Sequence, residues 1–176
     1  MPPTRYLPSL VVLLFLLGFT SARAASLGRP AFDPMRFFTG RTSSSGVFEN
    51  RAGEPTKRVR TETRGRIVAD ELRMEQDLFI EGEPRQHRSW RMRRLDAHHF
   101  AGTANDIVGT ARGEARGNYF TWTFTLATKP GNPLFNVRMT QHMQLQPDGR
   151  TMLNRSTIRK LGIVVAQVTE QFRRGK

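Results

Sequence analysis

The sequence has no cysteine, which excludes a disulfide framework, a thiolate metal site, a cysteine nucleophile and the lipid-bearing residue of a bacterial lipoprotein. It is short of acidic residues, with 15 against 28 basic ones. It is also short of long apolar runs. The one near the start, Leu10 to Leu17 and on to Phe19, is broken by Gly18, Thr20, Ser21 and Arg23 before reaching the ~20 residues that a membrane span needs. No helical period lasts long enough for a crossover helix, so parallel βαβ topology is excluded. No Gly-x-Ser-x-Gly elbow occurs, and the glycines at 109, 113 and 117 are not followed by Gly-Lys-Ser/Thr and a helix. Neither a serine nucleophile nor a phosphate cradle is therefore indicated.

What is present begins with an export signal: Arg5, the apolar stretch, then the small-residue sequence Ala22-Arg23-Ala24. A cut after Ala24 is expected, placing the mature chain in the periplasm without a lipid anchor. Removing 24 of 176 residues leaves 152, enough for one full core and too few for two. The expected organisation is a signal at 1–24, a linker at 25–31 and one domain at 32–176. The signal holds two of the 28 basic residues and none of the 15 acidic ones, so the mature formal charge is +11. Such a balance attracts anionic partners. Nucleic acid is set aside, because the chain is exported and its basic residues are not interleaved with stacking aromatics. An anionic membrane surface is the expected neighbour; the alternative is that the excess, all arginine but for Lys57, Lys129, Lys160 and Lys176, reflects coding bias alone.

Asp33-Pro34-Met35-Arg36-Phe37-Phe38 reads as a short helical turn, with Asp33 as cap, Pro34 at the first position and Gly40 as stop. Its phenylalanines are placed to plug one end of the domain. The period then changes to two. Val59, Thr61, Thr63, Gly65 and Ile67 alternate with Arg58, Arg60, Glu62, Arg64 and Arg66, the pattern of a half-buried strand. Leu72 to Glu81 repeats it. Further strands are expected at Arg41 to Arg51, Gln86 to Leu95, Phe100 to Val108, Tyr119 to Leu126, Leu134 to Leu145, Arg150 to Ile158 and Ile163 to Phe172, about nine in all. The glycine-rich stretch from Gly109 to Asn118 reads as a strongly bent hairpin. An all-β, antiparallel up-and-down meander of this length hides its edges most simply by closing into a lipocalin-like β-barrel. A two-sheet sandwich is the structural alternative.

The inward parity collects Trp90, Met92, Phe120, Trp122, Phe124, Phe135, Met139, Met143, Met152 and Phe172, a large apolar lining that either fills the interior or leaves room for one small ligand. The same parity passes through Gln76, Gln141, Asn154, Ser156 and Glu170. An ionised glutamate buried alone is costly, so Glu170 must be paired, protonated or near the mouth, with Lys160 as candidate partner. The four histidines make no chelating set: His98 and His99 are adjacent and carry no spaced carboxylate, so no metal and no cofactor is expected.

Several strings stand together in a familiar order: Phe37-Phe38-x-Gly40, Gly46-Val-Phe48 with Arg51 and Gly53, Trp90, Gly102-x-Ala104-x-Asp106-Ile-Val-Gly109-x-Ala111-x-Gly113 with Gly117-Asn118 and Trp122, then Asn154-Arg155, Lys160-x-Gly162, Val168-Thr169 and Phe172. From about Phe32 onward the chain resembles the bacterial envelope family catalogued as domain of unknown function 3833. The resemblance implies a small lipocalin-like barrel of unassigned activity and a lipid-related role at the inner membrane. The chain departs from that family in lacking the lipoprotein cysteine, in having Gln141-His142 where relatives carry an acidic and an aromatic residue, and in having Gln167 for glutamate.

The expected role is to bind or present a fatty acyl or similar apolar ligand, with Trp90 and Trp122 as walls, Asn154 and Glu170 at the polar end, and Lys160 at the rim. The alternative is a ligand-free accessory protein docking through its arginine-rich face on anionic membrane or a partner enzyme. A third class, an isomerase or hydrolase with Asp106 or Glu170 as base, ranks below both, and no residue is assigned a catalytic role.

Overall fold

A computed structural model describes residues 30–175. The predicted export signal, its cut after Ala24 and most of the linker at 25–31 lie outside the described residues. The chain enters at Phe32, whose N–H donates to the Gly117 carbonyl at 2.7 Å. Helix α1, Pro34–Phe38, follows at once. The Asp33 carboxylate accepts from the N–H groups of Met35 and Arg36 at its start, which satisfies donors that have no partner within the helix.

Ten antiparallel strands follow: β1 (Gly40–Glu49), β2 (Pro55–Val68), β3 (Glu71–Ile80), β4 (Gln86–Arg94), β5 (His99–Ala104), β6 (Ile107–Arg116), β7 (Tyr119–Ala127), β8 (Asn136–Leu145), β9 (Thr151–Lys160) and β10 (Ile163–Arg174). Each pairs with its neighbours in sequence, and β1 pairs with β10, so the meander closes into a barrel with no free edge. Closure satisfies the ladder hydrogen bonds that an open sheet would leave to water.

The strand count differs from expectation by one. A turn at Asn105–Asp106 divides the stretch read as Phe100 to Val108, and the supposed bent hairpin after it is β6. The inward positions of β6 are Ala111, Gly113 and Ala115, facing Trp122 and Phe120 of β7. An inner face of such small residues carries no hydrophobic alternation to read, although it is a strand. A register shift between Val108 and Arg112 adds the local bend of a bulge. The strand expected from Leu134 begins instead at Asn136, because Pro133–Phe135 forms a short 3-10 turn capped by the Asn132 side chain. Phe135, expected inside, is therefore at the rim and 37% exposed.

Helix α1 closes one end. Phe32, Phe37 and Phe38 are buried and meet edge-to-face in a run that continues inward: Phe37 and Phe38 at 5.1 Å, Phe32 and Phe37 at 5.6 Å, Phe32 and Phe120 at 5.7 Å, Phe38 and Phe172 at 6.1 Å. Rings at these separations gain beyond their buried area. The turns β1–β2, β3–β4, β5–β6, β7–β8 and β9–β10 form the opposite, unplugged end.

Candidate functional site

The middle of the barrel is walled by aromatics and methionines. Trp90 of β4 and Trp122 of β7 lie 5.8 Å apart, Trp90 meets Phe124 at 5.2 Å, and Phe120 continues the row to Trp122 at 5.7 Å. Met74, Met92 and Met143 are buried beside them. Between these side chains, Gln76, Arg88 and Gln141 lies a cavity of ≈ 40 Å³. That space holds about one water molecule, well below the ~300 Å³ at which small-molecule sites begin. In this state the interior is filled by its own side chains.

Arg88 is the unexpected feature. It shares the inward parity of Trp90 and Met92, is 6% exposed, and directs its guanidinium between the rings of Trp90 and Phe124, 5.8 Å from each centroid. Asp106, in the β5–β6 turn at the mouth, accepts from its Nε and Nη2 at 2.7 Å. A buried guanidinium needs such a carboxylate, since the two charges otherwise lose their hydration without return. Asp106 is thus engaged as the counter-ion of Arg88.

A second polar cluster lies on the β1–β2–β9–β10 wall. Glu170 is 8% exposed; its Oε1 accepts from Ser44 at 2.7 Å and Thr61 at 3.2 Å, and its Oε2 from Asn154 Nδ2 at 3.2 Å. Asn154 also donates to Ser156, and Gln141 donates to Ser156 at 3.4 Å. Among the described residues no cation faces Glu170, and burial pushes its carboxyl pKa up, opposed by the three hydrogen bonds. Desolvation thus favours its protonated form. The carbonyl oxygen of the Asn154 side chain has no partner among the described residues, so the cluster has acceptor capacity to spare.

Of the residues singled out in sequence, the fold brings Asn154 and Glu170 together across the β9–β10 ladder and Trp90 and Trp122 together across the interior. Lys160 joins neither group. It ends β9 at the unplugged rim, its Nζ 5.2 Å from the Phe135 ring centroid, and the expected pairing with Glu170 does not form. Sequence reasoning missed Arg88, Ser44 and Thr61 as partners in these networks. The parity of Arg88 with Trp90, two positions on, was the available signal.

The outer wall carries a different chemistry. Arg66, Arg73 and Arg91 stand directly abreast on β2, β3 and β4, an arrangement of like charges that costs stability unless compensated. Glu71 bridges Arg73 and Arg93 at 3.0 Å each. Its own carboxyl, despite the opposing effect of desolvation, is held below the usual range by hydrogen bonds from both arginines. Arg64, Arg66, Arg73 and Arg91, with Glu75 among them, line a broad, mainly cationic groove of ≈ 580 Å³.

A closed antiparallel barrel, plugged at one end and lined by aromatics, is a lipocalin-like barrel. The chain belongs to the family described as "Protein of unknown function (DUF3833)", whose family model matches residues 13–174. No curated protein matches the sequence. Among solved structures it is similar to the S-type phycobiliprotein lyase CPES from Guillardia theta, at 11% identity and TM-score 0.59, covering 81% of this chain and 90% of that one. It is also similar to Rv2717c from M. tuberculosis, at 12% identity and TM-score 0.58, covering 82% of this chain and 99% of that one. At these identities the likeness establishes the barrel fold alone.

Proposed function

We propose that the barrel binds one small apolar molecule with an anionic or polar end, of the fatty acyl class, and presents it in the periplasm. The observation that carries the reading is Arg88: a cation drawn inside an aromatic and methionine-lined barrel, beside the interior cavity and next to the mouth. Its Asp106 partner lies at the surface, where a ligand carboxylate could displace it. The closed interior of ≈ 40 Å³ requires side chains to move on entry. Met74, Met92 and Met143 are suited to this, since unbranched thioether side chains change rotamer at low cost. Bound ligand would replace their mutual contacts with its own.

Native mass spectrometry of the purified mature protein, followed by extraction and by titration with a long-chain fatty acid under tryptophan fluorescence, tests the proposal. A ligand adduct or a saturable change from Trp90 and Trp122, weakened in Arg88→Gln, is expected. A protein that arrives empty and ignores added fatty acid overturns it.

The accessory reading is favoured by a separate observation, the abreast arginines of the outer wall. It predicts salt-sensitive docking on an acidic face of a partner enzyme that Arg66→Gln with Arg91→Gln weakens, because exposed charges are screened within about 10 Å at 0.1 M salt.

A further inference from the structure

Six of the ten large apolar side chains exposed among the described residues lie toward the unplugged end: Val108, Leu134, Phe135, Leu161, Ile163 and Val165. Five of them belong to two adjacent segments, the β7–β8 loop and the β9–β10 hairpin. Scattered exposed leucines are ordinary, but a group of them on two adjacent segments at one end of a charged protein marks a contact surface.

Leu161 is the most telling. It forms a two-residue hairpin turn with Gly162, both with left-handed backbone, φ 49° and 82°. Such turns favour Asn or Asp with Gly, whose side chains tolerate that conformation and hydrogen-bond locally. Here the position holds a leucine, 94% exposed at the tip. Of the three non-glycine residues with positive φ among those described, it is the large apolar one. Folding gains nothing from it there. Leu134, 80% exposed, protrudes from the neighbouring loop.

The cations around this edge are arranged to match. Lys129 and Lys160 both lie against the Phe135 ring, Nζ to centroid 4.1 Å and 5.2 Å, which ties the two segments into one surface. Arg138 and Arg159 face each other across the β8–β9 ladder just behind. From Tyr119 to Arg174 the chain has two acidic residues: Asp148 in the β8–β9 turn at the plugged end, and Glu170 inside. The acids of the flanking segments are already engaged, Glu49 with Arg155 at 4.0 Å and Asp106 with Arg88, which leaves Lys129 and Lys160 to face outward. Protruding apolar tips backed by lysines and arginines suit the interface of an anionic bilayer, where the tips enter the acyl boundary and the cations reach headgroup phosphates. A folded protein partner would call for a concave or flat apolar face, and these side chains project singly from a loop and a hairpin tip.

We infer that the rim formed by the β7–β8 loop and the β9–β10 hairpin inserts Leu134, Phe135 and Leu161 into the surface of an anionic membrane, with Lys129 and Lys160 contacting its phosphates. The barrel mouth then faces the lipid, and the arginine row of the outer wall, toward the plugged end, points away from it. The inference stands whether or not the interior carries a ligand.

Cosedimentation of the delipidated mature protein with phosphatidylglycerol-containing vesicles tests it, using phosphatidylcholine vesicles as control. Wild-type protein should bind the anionic vesicles preferentially. Leu134→Asn with Leu161→Asn should weaken binding by about tenfold or more, since each leucine withdrawn from an apolar phase forfeits a transfer gain of that order. The same double variant should melt no lower than wild type, because Asn suits the turn at 161 better than leucine does. The Arg66→Gln, Arg91→Gln variant should keep its vesicle binding. Failure of wild type to bind overturns the inference, as does undiminished binding by the double variant. Loss confined to the arginine variant assigns docking to the outer wall instead, and conversion of a dimer to a monomer by the leucine changes, with vesicle binding intact, assigns the rim to a second copy.

Discussion

Glu170 stands directly opposite Gly46 across the β1–β10 ladder, and its side chain occupies the space that any side chain on Gly46 would need. A Cβ added at Gly46 would lie 2.8 Å from Glu170 Cγ and 2.0 Å from the Thr169 carbonyl oxygen. The second contact is with backbone and has no flexible end to yield. Gly46→Ala should therefore destabilise the fold by about 3 kcal/mol, at the upper end of ordinary overpacking, and should do so even when Glu170 is shortened to alanine. Urea unfolding of the single and double variants checks this. Full rescue by Glu170→Ala would show that the side chain alone sets the constraint.

The protonation of Glu170 gives stability a characteristic pH dependence. In the unfolded chain the group ionises near its ordinary value of 4.5, and in the barrel burial holds the proton to higher pH. As pH rises from the ordinary value through the folded one, the unfolded state releases its proton first, so stability falls across that window and then levels off. Glu170→Gln removes this dependence and should gain on wild type as pH rises, while its carbonyl still accepts from Ser44 and Thr61 and the Asn154 amide turns to meet it. Glu170→Ala instead leaves those donors unpaired and should cost roughly 1–3 kcal/mol throughout. Parallel stability profiles for wild type and Glu170→Gln from about pH 4 to 8 would mean that the carboxyl titrates as in water.

The Arg88–Asp106 pair is asymmetric, with the guanidinium inside and the carboxylate about a quarter exposed at the mouth. Removing Asp106 strands a buried charge, so Asp106→Ala should cost roughly 3 kcal/mol. Arg88→Met leaves only a carboxylate that water can reach, restores apolar contact with Trp90 and Phe124, and should cost less. Thermal melts of the two variants order them. The opposite order would show that Arg88 swings out to solvent once released, and would weaken its proposed role as an interior reader of ligand carboxylates.

The barrel itself was legible because alternation is strongest where outward positions are charged, as in Arg58 to Ile67. The meeting of Asn154 and Glu170 was partly legible too, since both fall on the inward parity of successive strands. Three features were not. β6 hides its inner face behind Ala111, Gly113 and Ala115, whose smallness makes sense only once the rings of Phe120 and Trp122 are seen against them. Arg88 sits in Gln86-His87-Arg88-Ser89-Trp90-Arg91, where one inward arginine is indistinguishable by composition from its outward neighbours, and only counting from Trp90 separates it. Lys160 was paired with Glu170 by charge alone, yet ten residues along a hairpin carry them to different depths of the barrel.

Gly113 and Gly109 separate two reasons for glycine in one strand. A Cβ at Gly113 would come 2.5 Å from Trp122 and 2.6 Å from Phe120, so Gly113→Ala should push both rings, lower stability by about 2 kcal/mol and alter the near-ultraviolet circular dichroism of the tryptophans. Gly109 has open space around it but a φ of 69°, so Gly109→Ala should cost about 1 kcal/mol through its left-handed backbone alone and leave that spectrum unchanged. The comparison also measures how readily the interior rearranges. If Gly113→Ala destabilises strongly and shifts the tryptophan signal, the rings are held in place and ligand entry must come from the methionines and Arg88. If it does neither, the aromatic wall yields at low cost, and a pocket larger than ≈ 40 Å³ can open between Trp90 and Trp122 themselves.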